Sequence, residues 1–192
     1  MRLGLIADTP EERNALESGQ VPVAFLETHY AFGLARAVMA ATRLGVFESL
    51  AHRPASAVTI ARSCGTDPVA TQKLLISLAG SGYLDVEDDQ YALTPTARAC
   101  LLKGNTNSLV DTVLFAFDEW DLMEHIEDYV RSGSPLDLHQ CMTREQWERY
   151  QQSMRALAGQ TAQQVAQAIS LPDGASDMMD VGGSHGYYSV AL

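Results

Sequence analysis

The sequence predicts a mainly α-helical chain with a small β-hairpin, followed by the first strand and turn of an α/β domain. Apolar residues recur at helical spacing through most of residues 23–169. Two short alternating segments between Tyr83 and Leu93 flank an acidic turn, which is typical of a hairpin. A short apolar run, a glycine cluster and a second apolar run then follow in residues 176–192. This is the strand, loop and helix order with which Rossmann-like domains begin.

Composition and charge restrict the classes of protein to which the chain can belong. Its 192 residues are 46% apolar and 7% aromatic, which is typical of a soluble globular protein of one or two domains. The formal net charge of -11 disfavours nucleic acid as a partner, because affinity for phosphates depends on Lys and Arg. No run of about 18 apolar residues is present, and the N-terminus turns acidic before a signal region forms. We therefore expect no membrane segment and a cytoplasmic location.

The first 44 residues are expected to comprise an arm and a long helix. Residues 1–20 carry charges with little periodicity, and we expect a partner to order them. From Val23 to Leu44, apolar residues crowd more than one face of a predicted helix that Gly45 ends. A helix that is apolar all round needs cover on all sides. In a chain of this size we expect a second copy to supply it, giving a homodimer.

Residues 56–102 have the element order of a winged helix-turn-helix. Ser56 and Asp67 are predicted N-caps of two short helices separated by a turn at Gly65. Gly80 and Gly82 end the second helix, and segments 83–86 and 91–93 then alternate as two strands. Thr94 and Pro95 begin another helix.

The winged motif is common in DNA-binding proteins, but the charges disfavour that function. Between Arg53 and Lys103 there are five basic and five acidic residues, so the segment has no net charge. The helix that would enter a DNA groove carries Lys73 as its one basic residue, and the turn Glu87 to Asp89 would be repelled by phosphates. We therefore expect no nucleic-acid partner.

Neither the cysteines nor the acidic residues predict a metal site. Cys64, Cys100 and Cys141 lie far apart without a CxxC pair, so we expect free thiols. One helix is predicted over Asn107–Arg131, with Val110, Val113, Leu114, Phe117 and Trp120 along one face. Its opposite face lacks paired histidine spacing and is expected to be solvated; it comprises Asp118, Glu119, Asp121, Glu124, His125, Glu127 and Asp128.

A further helix is predicted to begin at Thr143, which forms a capping box with Gln146. Trp147, Tyr150 and Met154 follow on one face. Residues at such spacing more often belong to a core than to a binding site. They also suit the wall of a pocket for a planar aromatic molecule, because flat rings and a pliable Met adapt to such a shape.

The string DVGGSHG, residues 180–186, follows a predicted buried strand formed by Met178, Met179 and Val181. A dinucleotide fingerprint would be GxGxxG, so an NAD site is disfavoured. Asp180 at the strand's end would repel a pyrophosphate but suits a cationic ligand. The string resembles motif I of class I S-adenosylmethionine-dependent methyltransferases, in the DxGGGxG form of plant and bacterial small-molecule O-methyltransferases. Ser184 stands where that motif usually has a third glycine.

A second stretch resembles the same family. The strings LGVFESLA, LLISLAGSGYL and YALTPTARACLL, between residues 44 and 102, resemble the dimerisation domain of these O-methyltransferases. The resemblance covers residues 23–192. It implies a helical, winged-helix-like dimerisation domain over 21–105, substrate-cap and linker helices over 106–175, and the start of the S-adenosylmethionine-binding domain over 176–192.

The resemblance implies roles for two sets of residues. S-adenosylmethionine is the implied cofactor, with Asp180, Gly182, Gly183, Ser184 and Gly186 at its binding loop. Trp147, Tyr150 and Met154 become candidates for the wall that binds a small aromatic acceptor. Arg149 is a candidate partner of the cofactor carboxylate, although a surface arginine is the plainer interpretation.

The general base of the resembled family is a histidine far downstream of motif I, so we expect it beyond residue 192 and do not assign it to His185. A parallel sheet cannot consist of one strand. The expectation is therefore a truncated α/β methyltransferase domain, inactive in this chain alone. The alternative function is a non-catalytic winged-helix dimerisation or regulatory module.

Overall fold

The computed structural model describes residues 5–135 and 137–192, and this part of the chain is mainly helical. The helices are accompanied by a two-stranded antiparallel sheet. The mainly α prediction with a small hairpin is confirmed, whereas the winged-helix assignment stays a prediction. In chain order the elements are α1 (Pro10–Glu17), α2 (Val23–Leu44), α3 (Val46–Ser49), α4 (Ala57–Cys64), α5 (Pro68–Gly80), β1 (Leu84–Glu87), β2 (Gln90–Leu93), α6 (Pro95–Cys100), α7 (Val110–Met123), α8 (Ile126–Ser132), α9 (Leu138–Cys141), α10 (Arg144–Ala168) and α11 (Tyr187–Ala191).

The N-terminal arm contains a helix, α1, that the sequence interpretation missed. The Thr9 hydroxyl accepts a hydrogen bond from the Glu12 N–H at 3.2 Å, and the Glu12 carboxylate accepts one from the Thr9 N–H at 3.1 Å. This capping box satisfies two backbone donors that a helix start leaves without partners. No residue of α1 is buried, so local capping and not packing defines it. Residues 1–4 of the predicted arm lie outside the described residues.

Helix α2 has the predicted bounds and ends at Gly45, whose φ of 79° lies in the left-handed region that glycine adopts without strain. Its C-terminal half packs on the core and buries Val38 and Met39. In its N-terminal half, Phe25 and Phe32 each remain 64% exposed. The folding of one chain therefore leaves the aromatic end of α2 largely uncovered.

The core lies between α2, α3, α4, α5, α6 and the hairpin. Its largest members are no more than 1% exposed: Phe47, Leu50, Ile60, Leu75 and Leu78. Helices α4, α5 and α6 begin at the predicted caps, because the side chains of Ser56, Asp67 and Thr94 each accept a hydrogen bond from a backbone N–H three residues on. Local signals in the sequence thus set the helix starts that surround this core.

The hairpin lies within one residue of its predicted bounds. Strands β1 and β2 pair from Leu84 opposite Leu93 to Glu87 opposite Gln90. The two turn residues, Asp88 and Asp89, have φ values of 47° and 59°. Two-residue turns with positive φ match the twist of the flanking strands, and Asp tolerates this region better than most residues.

The single helix predicted over Asn107–Arg131 is wrong, because the chain forms α7 and α8 with a break at Glu124 and His125. Helix α7 packs against α2 and α10, whereas α8 buries no residue. Helix α8 therefore has no buried face whose packing would favour one continuous helix with α7. Gly133 ends α8, with a φ of 71°.

The buried strand predicted for residues 178–181 is also wrong. These residues have no strand conformation, and Met179 and Val181 are each 86% exposed. A strand needs a neighbour for its backbone N–H and C=O groups, and the described residues offer none here. The helix expected after the glycine cluster is present as α11, which begins at Tyr187.

Candidate functional site

Helix α10 supplies one wall of the candidate site. The predicted capping box starts it: the Thr143 hydroxyl accepts from the Gln146 N–H at 3.3 Å, and the Gln146 side chain accepts from the Thr143 N–H at 2.9 Å. Helix α10 packs against α7 and buries Ser153, Ala158 and Ala162. These small side chains allow the two helices to approach closely. Other positions of α10 remain available to face the glycine loop.

The glycine loop, residues 180–186, turns sharply before α11. Gly182 and Gly186 have φ values of 76° and 65°, which other residue types rarely adopt. The Gly186 N–H donates to the Gly183 carbonyl at 2.7 Å and closes the turn. Gly183 has a different reason to be glycine, because a Cβ atom there would overlap the Asp180 carboxylate. The Asp180 carboxylate also accepts a hydrogen bond from the Ser189 hydroxyl.

A cleft of about 430 Å³ separates α10 from the glycine loop. Tyr150 and Met154 line its α10 side. The opposite side is formed by Asp180, Gly182, Gly183, Ser184, His185 and Tyr188. The structure therefore brings two predicted acceptor residues into one cleft with four of the predicted cofactor residues. Gly186 shapes the loop from outside this lining.

The described lining of this cleft carries negative charge and no positive side chain. Asp180 is an acid, and none of the described residues that line the cleft is Lys or Arg. A carboxylate without a nearby cation favours a positively charged ligand group and disfavours a pyrophosphate. The anionic lining therefore fits the ammonium and sulfonium groups of S-adenosylmethionine better than it fits a dinucleotide.

Trp147 lies behind the cleft and not in its lining. Its indole meets the Tyr150 ring edge to face, with 5.6 Å between centroids, and stacks on His139 at 5.3 Å. The Tyr150 ring also contacts Phe115 at 5.6 Å. Such contacts fix the orientation of an aromatic side chain. Trp147 can therefore act on the cleft by holding Tyr150 in place.

The sequence interpretation missed several residues of this site. His139 precedes α10 in a short helix, and nothing in its local pattern indicated that it would stack on Trp147. His185 and Tyr188 line the cleft, and their position inside and just after the glycine motif was a usable signal. The His185 Nδ1 atom accepts a hydrogen bond from the Tyr187 N–H at 3.0 Å, which ties the imidazole to the start of α11.

Arg149 faces away from the cleft, toward α7. Its Nε and Nη2 atoms each donate to the Asp118 carboxylate at 2.7 Å, and Gln146 donates to the same carboxylate at 3.1 Å. Asp118 is 8% exposed, so its predicted place on a solvated acidic face is wrong. These hydrogen bonds, led by that from Arg149, hold the Asp118 pKa below its ordinary value, although burial opposes them. The cofactor role predicted for Arg149 stays a prediction, and the carboxylate that it contacts is Asp118.

No three His, Cys, Asp or Glu side chains in the described part of the chain converge as a metal site would require. Over residues 5–135 and 137–192, no helix combines the length and apolar character needed to span a bilayer.

The N-terminal part of the chain matches a known protein family. Residues 26–103 match the family model described as the O-methyltransferase dimerisation domain. Over these residues the chain is similar to that domain. The resemblance stated for the strings between residues 44 and 102 is therefore confirmed, and these strings fall inside the matched range.

Solved methyltransferase structures share the fold over most of the chain. Mitomycin 7-O-methyltransferase superposes with a TM-score of 0.74 at 24% identity, covering 95% of this chain and 56% of that chain. A methyltransferase of calicheamicin biosynthesis, in its S-adenosylhomocysteine-bound form, gives 0.71 at 23% identity, covering 96% and 56%. Human N-acetylserotonin methyltransferase in complex with S-adenosylmethionine gives 0.68 at 17% identity, covering 87% and 51%. Identities this low establish the fold alone.

A human protein named as a probable bifunctional dTTP/UTP pyrophosphatase/methyltransferase is 28% identical over 181 residues. The match covers 86% of this chain and 29% of that protein. The chain thus spans about half the length of the solved relatives and less than a third of this one.

Proposed function

We propose that this chain supplies the dimerisation domain, the acceptor-binding helix and the cofactor loop of an S-adenosylmethionine-dependent methyltransferase. The acceptor is the hydroxyl group of an aromatic small molecule. The observation that carries the proposal is the cleft in which Tyr150 and Met154 face Asp180 and the glycine loop. A polar, anionic wall for the cofactor and an apolar wall for the acceptor meet there at one opening.

The residues of the chain have distinct tasks in this function. When bound, S-adenosylmethionine supplies the methyl group. Asp180 presents a carboxylate to the cationic end of that molecule, and Gly183 lets the loop fold tightly around the carboxylate. Tyr150 and Met154 pack against the planar acceptor and exclude water from it. In methyl transfer the enzyme mainly aligns two reactants, so these positioning contacts account for a large part of the rate.

The proposed division of the chain follows from these tasks. Residues 21–105 form the dimerisation domain, residues 106–175 form the helices that cap the acceptor, and residues 176–192 begin the cofactor-binding domain. The protein acts as a homodimer in which a second copy covers the exposed aromatic end of α2. The exposure of Phe25 and Phe32 supports this arrangement.

Calorimetric titration with S-adenosylmethionine tests the proposed function. We expect this chain alone to bind weakly or not at all, because the glycine loop offers only part of the surface that a cofactor of this size needs. A chimaera completed with the C-terminal half of mitomycin 7-O-methyltransferase, about 150 residues, should bind at micromolar concentration. Micromolar binding by the short chain would show that its site is sufficient as it stands.

Asp180 provides the decisive variant. In the completed protein, Asp180→Ala should weaken binding at least about tenfold, because a charge-assisted contact is lost. Asp173→Asn, at an exposed acid seven residues earlier, is the matched control and should leave affinity unchanged. If both variants bound with the affinity of the parent, the Asp180 carboxylate would not belong to the binding site.

A second candidate function is a non-catalytic dimerisation or regulatory module. The confinement of the family match to residues 26–103 favours it. Such a module would form dimers and yet bind no S-adenosylmethionine either as this chain or as the completed chimaera. The same titration therefore distinguishes the two functions, provided that sedimentation and circular dichroism show the chimaera to be folded and dimeric.

A further inference from the structure

Ser184 occupies a backbone conformation that favours glycine. Its φ of 48° lies in the left-handed region, and the motif that its sequence resembles usually has glycine at this position. A serine is strained in this conformation because it has a Cβ atom. A contact of its side chain can compensate for this strain. The Ser184 hydroxyl donates a hydrogen bond to the Gln151 side-chain carbonyl at 3.1 Å.

The partner of Ser184 lies on the helix that forms the opposite wall of the cleft. Gln151 follows Tyr150 directly and precedes Met154 by three residues on α10. A second contact joins the same two elements one helical turn further on, where the Arg155 guanidinium lies over the Tyr187 ring at 5.3 Å from its centroid. Positions 151 and 155 share one face of α10, and positions 184 and 187 flank the end of the glycine loop.

We propose that Ser184 and Gln151 are positioning residues that fasten the glycine loop to α10. Their hydrogen bond, with the Arg155–Tyr187 contact beside it, sets the separation between the Asp180 loop and the Tyr150–Met154 wall. Ser184 is thus strained where glycine would not be, and its hydrogen bond to Gln151 fixes the width of the cleft. The consequence for cofactor affinity rests on the function proposed above, whereas the fastening itself is a property of this chain and can be measured without ligand.

Amide hydrogen exchange on this chain without ligand tests the fastening. In Gln151→Met and Ser184→Ala, the amides of residues 182–187 should exchange about three- to tenfold faster, as expected from the loss of one hydrogen bond. Gln151→Glu keeps an acceptor oxygen at the same position and should exchange like the parent. If neither Gln151→Met nor Ser184→Ala changes exchange in this segment, the proposal is overturned whatever the cofactor does.

The Ser184→Gly variant distinguishes an effect on the position of the loop from an effect on global stability. Glycine relieves the backbone conformation, so the midpoint of denaturant unfolding should stay equal to that of the parent or increase. The loop should nevertheless exchange faster, because the hydrogen bond to Gln151 is gone. If exchange in the loop changed only in proportion to the global stability of the variant, Ser184 would have a merely structural role. That result would contradict the proposal.

Affinity for S-adenosylhomocysteine in the completed chimaera gives the functional readout. Gln151→Met and Ser184→Ala should each weaken binding about three- to tenfold, and the double variant should be no weaker than either single variant. Gln151→Glu should restore the parent affinity. Additive losses would show that the two side chains act independently and overturn the coupling. If the parent chimaera binds no S-adenosylhomocysteine, the proposed function fails. The exchange experiment still tests whether Ser184 and Gln151 hold the glycine loop against α10.

Discussion

Asp118 on α7 and Arg149 on α10 form a bidentate ion pair, with both nitrogen-to-oxygen distances at 2.7 Å. The Asp118 side chain is 9% exposed and the Arg149 side chain 41% exposed. The pair joins α7 to α10 through two residues that lie 31 positions apart in sequence. It lies on the side of α10 that faces away from the cleft, so it stabilises the wall without lining it.

Asp118→Asn should lower the free energy of unfolding by about 1–3 kcal/mol. The amide removes the charge that Arg149 contacts, although the partial exposure of the guanidinium lets water compensate in part. Asp121→Asn, at an exposed acid on the same helix, is the control and should stay within about 0.5 kcal/mol of the parent. Denaturant titration at neutral pH measures both variants, and equal effects would contradict the structural role of the pair.

The Asp118 pair should also make stability depend on pH in the acid range. Its pKa in the folded chain is held below the ordinary Asp value of 3.8, mainly by the hydrogen bond from Arg149. A lowered pKa stabilises the folded state fully above the unfolded value, and this stability is lost as the pH falls through the folded value. The difference in unfolding free energy between the parent and Asp118→Asn should therefore shrink as the pH falls below about 4. A difference that stays constant down to pH 2 would refute this assignment.

Phe32→Glu should convert the proposed homodimer to monomer at micromolar concentration. Phe32 is 64% exposed and lies 5.1 Å from the Trp120 ring, measured between centroids, on the uncovered end of α2. A stable interface built on this face should bury well over about 2,000 Å² in total, and a charge at its centre would not be tolerated. Val86→Glu, at an exposed apolar residue of the hairpin, is the control and should leave the mass unchanged. Sedimentation of the parent as a monomer would refute the dimer.

Met154→Ala and Trp147→Ala should reduce turnover more than stability. Met154 lines the cleft, and Trp147 holds Tyr150 at a ring distance of 5.6 Å. Neither residue is fully buried, so each substitution should lower the unfolding free energy by less than about 2 kcal/mol. Leu78→Ala, at a side chain with no exposed surface, is the control and should cost about 3–4 kcal/mol.

The completed chimaera, tested with a panel of simple phenols, gives the turnover in these variants. We expect at least a fivefold loss in kcat/KM for Met154→Ala, which corresponds to about 1 kcal/mol of lost transition-state stabilisation. If both variants lost roughly 3 kcal/mol of stability while the folded fraction kept normal kinetics, these residues would be core and not site.

The segment from Arg53 to Lys103 should not bind duplex DNA at physiological salt. Its five cations match its five acids, and the structure engages one cation internally, since the Arg98 guanidinium donates to the Ala51 carbonyl. The turn at Asp88 and Asp89 is exposed and would face the phosphates in a winged-helix complex. Fluorescence anisotropy with a duplex of random sequence measures the affinity for DNA. Binding tighter than about micromolar with a steep salt dependence would contradict the prediction.

The sequence by itself determined the elements whose signals are local. The bounds of α2, the caps Ser56, Asp67 and Thr94, and the capping box of α10 all depend on residues within about four positions of one another. The glycine loop and the Tyr150–Met154 stripe were also readable, because a motif and a helical spacing are properties of short segments. The structure shows that they line one cleft.

Only the tertiary structure decided which distant groups meet. Asp118 looked like a member of a solvated acidic face, and its burial depends on Arg149 and Gln146 of another helix. His139 stacks on Trp147, and Ser184 reaches Gln151 across 33 residues, without any local pattern that could indicate either contact. The absent strand at 178–181 and the break between α7 and α8 have the same cause. Apolar spacing indicates that a segment can pack, but only a neighbouring element determines whether it does.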